Sequence, residues 1–129
     1  MARVLIIDDD LFTRETLRRV FEGEGYHVSL AENGVDGVGL FHREQTDLII
    51  TDILMPEKDG LESISELRAE VPDLPIIAIS GGGKSGSLEF LQVARELGAD
   101  EVMRKPLAIR RLLDIAARLI GQRRDRDSS

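Results

Sequence analysis

Five side chains with donor atoms suited to a charged ligand follow short apolar runs in this chain. They are Asp8 and Asp9 after residues 4–7, Asp52 after 48–51, Ser80 after 76–79 and Lys105 after 101–104. Carboxylates gathered in one place repel one another unless a cation offsets them. An ammonium supplies a compact positive charge, and a hydroxyl can donate to a phosphoryl oxygen. Three carboxylates, a hydroxyl and a lysine therefore describe a site for a hard cation and a phosphoryl group. The chain has no cysteine, and its two histidines, His27 and His42, fall elsewhere. That donor set favours an oxygen-ligated ion of the magnesium type.

For these groups to meet, the runs that carry them must be parallel strands of one sheet, with their carboxyl ends at a common edge. The patterns between them support this. Residues 3–7 are β-branched or aliphatic almost throughout, as in a strand buried on both faces. Leu17, Val20 and Phe21 then recur at helical spacing, and Gly25 reads as a stop. Residues 27–31 form a second strand. Asn33-Gly34 resembles a hairpin turn, but Val35, Val38 and Phe41 follow at three-residue steps, so a helix is expected in spite of Gly37 and Gly39. The third strand covers 47–51. Leu61, Ile64, Leu67 and Val71 form the next helical stripe, ended by Pro72 and Pro75 before the strand at 76–79. Leu88, Leu91, Ala94 and Leu97 mark a fourth helix closed by Gly98, and a fifth strand spans 101–104. The last helix, at about 108–120, turns Ile109, Leu112, Leu113, Ala116, Leu119 and Ile120 inward and Arg110, Arg111, Asp114 and Arg118 outward. Five successive βα units imply a parallel sheet covered on both faces. In the strand order 2-1-3-4-5 the first and third strands are adjacent, and Asp8, Asp9 and Asp52 share the crevice where that order reverses. Of the three successive acids, Asp10 suits helix capping. Lys105 precedes Pro106, and a cis bond there would aim the lysine inward.

At 129 residues, 42% hydrophobic and 32% charged, the chain fits one globular domain, read as residues 1–121. The polar stretch 122–129 reads as a frayed tail or the start of a linker. A net charge of −7 argues against direct nucleic-acid binding. No apolar run is long enough to span a bilayer, so the expected location is cytoplasmic.

Taken together, Asp8-Asp9, Asp52 within Asp52-Ile53-Leu54-Met55-Pro56, Asp59-Gly60, Ser80-Gly81 and Lys105-Pro106 resemble, in order and spacing, the receiver domain of two-component response regulators. The resemblance implies a flavodoxin-like fold. It implies that Asp52 accepts a phosphoryl group from the phosphohistidine of a histidine kinase or histidine phosphotransfer protein. Mg²⁺ would be held by Asp9, Asp52 and the backbone carbonyl of Leu54, with Asp8 acting through water. Ser80 and Lys105 would hold the phosphoryl oxygens. Such a domain is a signalling element that assists its own phosphorylation and dephosphorylation, not a turnover enzyme. It switches a surface of helix four, strand five and helix five toward a downstream protein, a fused effector domain or a second copy. Arg110, Arg111 and Arg118, interspersed with acids, are compatible with a salt-bridged homodimer.

The chain departs from the family at Val102, where many members carry an aromatic residue, and in the glycine-rich run 81–86. Three other readings compete. A P-loop is suggested by Gly83-Lys84-Ser85 but needs glycine where Ala78 stands. An aspartate-nucleophile phosphatase is suggested by Asp8-x-Asp10, but Phe12 replaces the expected threonine or valine and Asp52 loses its role. A receiver-like module that only binds partners would not require all five site residues.

Overall fold

The computed structural model describes residues 2–53, 60–81 and 87–128, the side chains of 87–89, 127 and 128 excepted. Strands and helices alternate: β1 (Arg3–Ile7), α1 (Leu11–Gly23), β2 (His27–Ala31), α2 (Gly34–Arg43), β3 (Leu48–Asp52), α3 (Gly60–Glu70), β4 (Ile76–Ser80), α4 (Ser87–Leu97), β5 (Glu101–Arg104) and α5 (Ile109–Ser128). All strand pairs are parallel, in the order β2-β1-β3-β4-β5. This is the expected flavodoxin-like architecture.

Period-two alternation divides the core. Val4, Ile6, Leu48 and Ile50 pack with Leu17 and Phe21 of α1 and with Leu112, Ala116 and Ile120 of α5. Leu5, Ile7 and Ile49 point the other way, into Val38, Ile64, Leu67, Leu91 and Ala94 of α2, α3 and α4. Every residue of β3 and β4 is buried, as continuous apolar runs in a doubly covered sheet require. Gly37 accounts for the glycine in α2: a Cβ there would press on Ile7 Cγ1 at 2.8 Å, so its absence lets the helix lie close to β1.

Three details differ from the sequence reading. β3 is shifted by one residue, so that Asp52 itself is a ladder residue opposite Ile79, and β4 continues through Ser80, opposite Arg104. Both candidate positions thus sit on the last rungs of the sheet instead of in loops. The polar stretch after Ile120 is helical to Ser128. It is tied down by Arg123, whose Nε lies 3.4 Å from Asp73 and whose Nη1 donates to the Thr46 carbonyl at 3.3 Å.

At the amino-terminal edge of the sheet, Arg68 joins several elements. It donates to the Gly98 carbonyl from Nε at 3.0 Å and from Nη2 at 2.7 Å, to the Pro72 carbonyl at 2.7 Å and to Asp100 Oδ2 at 2.9 Å. Asp100 Oδ2 also accepts the Ile76 N–H at 2.8 Å, so the ends of α3 and α4 and the start of β4 share one junction. No helix of the described residues is long and apolar enough to cross a membrane.

At the opposite edge the return from β3 is closed by Gly60, whose N–H donates to the Ile53 carbonyl at 2.7 Å. A Cβ at this position would overlap the Asp52 carbonyl oxygen and reach Ile53 Cα at 2.8 Å. Both obstacles are backbone and cannot rotate away. Gly60→Ala is therefore expected to cost about 1–3 kcal/mol in urea denaturation, the range for overpacking a tight site, and to shift the Asp52 amide resonance, whereas Gly39→Ala, with open space around it, leaves that resonance in place.

Candidate functional site

The carboxyl ends of β1 and β3 place Asp8 and Asp52 side by side, because these strands are neighbours in the sheet and run in register, Ile7 opposite Thr51. Carboxylate oxygens of Asp8, Asp9 and Asp52 lie within 4.8 Å of one another. Asp8 is fully buried, Asp52 is 5% exposed and Asp9 faces solvent. β5 brings Lys105 to the same point. Its ammonium lies 3.1 Å from Asp8 Oδ2 and 3.5 Å from Asp52 Oδ2, and its N–H donates to the Ser80 carbonyl at 2.9 Å. The Lys105–Pro106 peptide is cis.

The electrostatics follow from this crowding. Burial pushes the Asp8 carboxyl above its ordinary value, and the Asp10 N–H and the Lys105 charge offset only part of that. Burial also works against the Lys105 ammonium, but Asp52 and then Asp8 outweigh it, so its pKa rises. Asp8 Oδ1 accepts the Asp10 N–H at 2.8 Å. Asp8 Oδ2 is buried, and the Lys105 ammonium at 3.1 Å is the contact that serves it. A buried anionic oxygen in that condition, beside two more carboxylates, is a fitting place for a small divalent cation.

The other expected site residues are accounted for as follows. Ser80 ends β4, 1% exposed, with its hydroxyl 3.4 Å from the Gly81 carbonyl. Asp10 is the cap foreseen for α1: Oδ1 accepts from the Phe12 N–H at 3.2 Å, and Oδ2 from the Thr13 hydroxyl at 2.6 Å. The hydroxyl of Thr13 is the main cause of a lowered Asp10 pKa. Leu54, with its expected carbonyl ligand, lies outside the described residues, as do Asp59 and 82–86. Val102 is half-buried, opposite Ala78 of β4. His27 and His42 are exposed and far in the chain from the cluster, His42 pairing with Glu70 at 2.9 Å.

One residue beside the cluster escapes sequence reasoning. Arg14 of α1 is buried, 9% exposed, and its Nη1 donates to the Asp8 carbonyl at 2.8 Å. The signal was its place in the stripe Arg14, Leu17, Phe21, the three buried positions of α1. An arginine on the core side of a helix is there for a partner.

The model of the response regulator receiver domain matches residues 4–117. Response regulator MprA of Mycobacterium sp. (strain KMS) is 37% identical over 112 residues, 87% of this chain and 47% of that protein. The chain spans about half the length of the curated relatives it matches. The crystal structure of a CheY-like receiver domain protein from Methanospirillum hungatei superposes with a TM-score of 0.89 at 26% identity, covering 98% of each chain. The solution structure of the beryllofluoride-activated NtrC4 receiver domain dimer gives 0.85 at 28% identity, covering 95% of this chain and 99% of that one.

The raised Asp8 pKa has a sign that can be measured. A carboxyl whose folded pKa lies above its unfolded value is tolerated best below the unfolded value, near 3.8, and costs stability as pH rises through the folded pKa. Asp8→Asn, which cannot ionise, is expected to raise the thermal midpoint at pH 7 in metal-free buffer. The gain should shrink as pH falls toward 4 in a series of thermal melts.

Proposed function

The chain belongs to the response regulator receiver domain family of two-component systems, and from that premise we propose that Asp52 is its phosphoacceptor. The observation that carries this is the position of Asp52: nearly buried, on the last rung of β3, against the Lys105 ammonium and in one cluster with Asp8 and Asp9. A carboxylate oxygen of Asp52 would attack the phosphorus of a phosphohistidine. The P–N bond breaks, the imidazole leaves, and an acyl phosphate remains on Asp52. Nucleophile and phosphoryl group are both anionic, so positioning and nearby positive charge must supply most of the rate enhancement. Lys105 provides a charge already aligned with Asp52, and the Ser80 hydroxyl a donor on the neighbouring strand end.

Asp8, Asp9 and Asp52 are the side chains that would hold Mg²⁺, with the Leu54 carbonyl as the further ligand expected from the family. When bound, the ion would neutralise these acids and draw charge from the phosphoryl oxygens. The protein acts as a phosphoacceptor that switches, not as an enzyme with a released product. Phosphorylation would redistribute charge between Lys105, Ser80 and Asp52, and β4 and β5 would carry the change toward α4, β5 and α5. With Val102 in place of the usual aromatic, that readout runs through an aliphatic contact. The phosphodonor is a histidine kinase or histidine phosphotransfer protein, and Leu11 and Phe12, 61% and 78% exposed beside the site, suit such a contact. The output partner is a downstream protein, an attached effector domain or a second copy docked through α4, β5 and α5, where Arg118 pairs with Glu101 at 2.9 Å and Arg110, Arg111 and Asp114 are exposed.

The phosphatase alternative asks Asp8 to be the nucleophile and Asp10 its acid. Asp8 is fully buried, and both oxygens of Asp10 are engaged in capping α1. The chemistry is tested with acetyl phosphate and Mg²⁺, followed by intact and peptide-mapped mass. One labile adduct of a single phosphoryl group on Asp52, absent without Mg²⁺ and in Asp52→Asn, is the expected result. An adduct on Asp8 would point to the phosphatase reading, and none on folded protein to a module that works by binding alone.

A further inference from the structure

We infer that Arg14 is a positioning residue for the carboxylate cluster: its guanidinium holds the peptide that joins Asp8 to Asp9, and so fixes where the Asp9 carboxylate stands relative to Asp52. The inference rests on the reading of the cluster as a divalent-cation site. Burying a guanidinium costs free energy unless it is hydrogen-bonded. The acidic neighbour of Arg14 does little to repay that, since Glu32 is 3.8 Å away with its side chain 73% exposed. The close contact is with the Asp8 carbonyl at 2.8 Å. That carbonyl belongs to the peptide between the two acids.

The same turn is held on either side. The Asp8 N–H donates to the Ala31 carbonyl at 3.1 Å, the Asp10 N–H to Asp8 Oδ1 at 2.8 Å, and Asp10 caps α1. Asp9 differs from its neighbours: among the described residues its exposed carboxylate has no hydrogen-bond or ion-pair partner. Among the described residues no hydrogen bond or ion pair orients its side chain, so the backbone that carries it bears on its place within 4.8 Å of Asp8 and Asp52. Arg14 is the buried side chain that grips that backbone. Partners outside the ligand shell that orient a ligand commonly change metal affinity by about 10–100-fold.

The sign of the effect separates positioning from simple charge. A positive group near an acidic cluster weakens cation binding by Coulomb repulsion, so removing it for electrostatic reasons alone should tighten binding. Removing a clamp should loosen it. The test is an Mg²⁺ titration followed by the amide resonances of Asp8 and Asp9, with thermal melts alongside, for the native protein, Arg14→Met and Arg14→Lys. Arg14→Met is expected to raise the Mg²⁺ dissociation constant about tenfold and to shift the Asp9 amide before any metal is added. Arg14→Lys, which keeps the charge and one donor, should fall between Arg14→Met and the native protein. Affinity unchanged or tightened in Arg14→Met, even with a lowered melting point, overturns the inference and leaves Arg14 a structural residue. If Arg14→Met does not fold, Arg14→Gln, neutral and too short to span the gap, carries the same comparison. A native protein that does not saturate with Mg²⁺, and behaves as Asp9→Asn does, overturns the cation site and this inference together, whereas saturation of the native protein alone leaves the Arg14 comparison decisive.

Discussion

Two carboxylates buried side by side at one sheet edge share a single ammonium that lies against both. Lys105, itself half-buried, is the third member of an ionic group whose buried members are Asp8 and Asp52. Removing one partner from such a group leaves an uncompensated charge in a medium that solvates it poorly. The surrounding fold can be read as the means of keeping that lysine in place. Its backbone is hydrogen-bonded to Ser80 at the end of β4, so the strand that carries the hydroxyl also fixes the cation. The compensation is incomplete, since burial holds the Asp8 carboxyl above its ordinary value in spite of Lys105 and the Asp10 N–H. A site built this way has residual attraction for another cation.

The reversal of strand order makes the cluster possible. β1 is flanked by β2 on one side and β3 on the other, so the chain leaves the sheet's centre in both directions and opens a crevice above Ile7 and Thr51. Into it come one acid from each adjacent strand, and a second from the turn after β1. Gly60 closes the floor by packing against the Asp52 carbonyl without a side chain. Capping supplies the remaining order: Asp10 starts α1, and α1 in turn presents Arg14 to the Asp8 carbonyl. Local helix chemistry and site geometry are therefore joined through the short backbone path from Asp8 to Arg14 and one guanidinium.

Much of this was legible in the letters, for identifiable reasons. Strands buried on both faces announce themselves as unbroken aliphatic runs, and the helices by three- and four-residue steps, so all ten elements were found. The register at which β3 and β4 end was not, because the ladder carries Asp52 and Ser80 into the sheet by backbone pairing that has no side-chain signature. Hydrophobic periodicity stops at Ile120, yet α5 goes on to Ser128. What holds Arg123 there is a contact with Thr46 and Asp73, distant in sequence. Arg14 was passed over for the opposite reason, since one charge among many on an arginine-rich helix gives no hint of burial unless its phase is compared with Leu17 and Phe21. The acids, the serine and the lysine were legible because strand ends in a parallel sheet must meet at one edge.

The Arg68 junction has a mechanical consequence. By bonding the Gly98 carbonyl twice and sharing Asp100 with the start of β4, it pins the trailing end of α4 to the rigid base of the sheet. The leading end of α4, eleven residues or about 16 Å away, is the end that follows Ser80. A rod fastened at one end cannot slide. Any change of α4 that keeps this junction would therefore be a rotation about its anchored end, resisted by Leu91 and Ala94 in the core. The exposed Phe90 and Val93 lie between that anchor and the leading end, so such a rotation would re-aim two apolar side chains together.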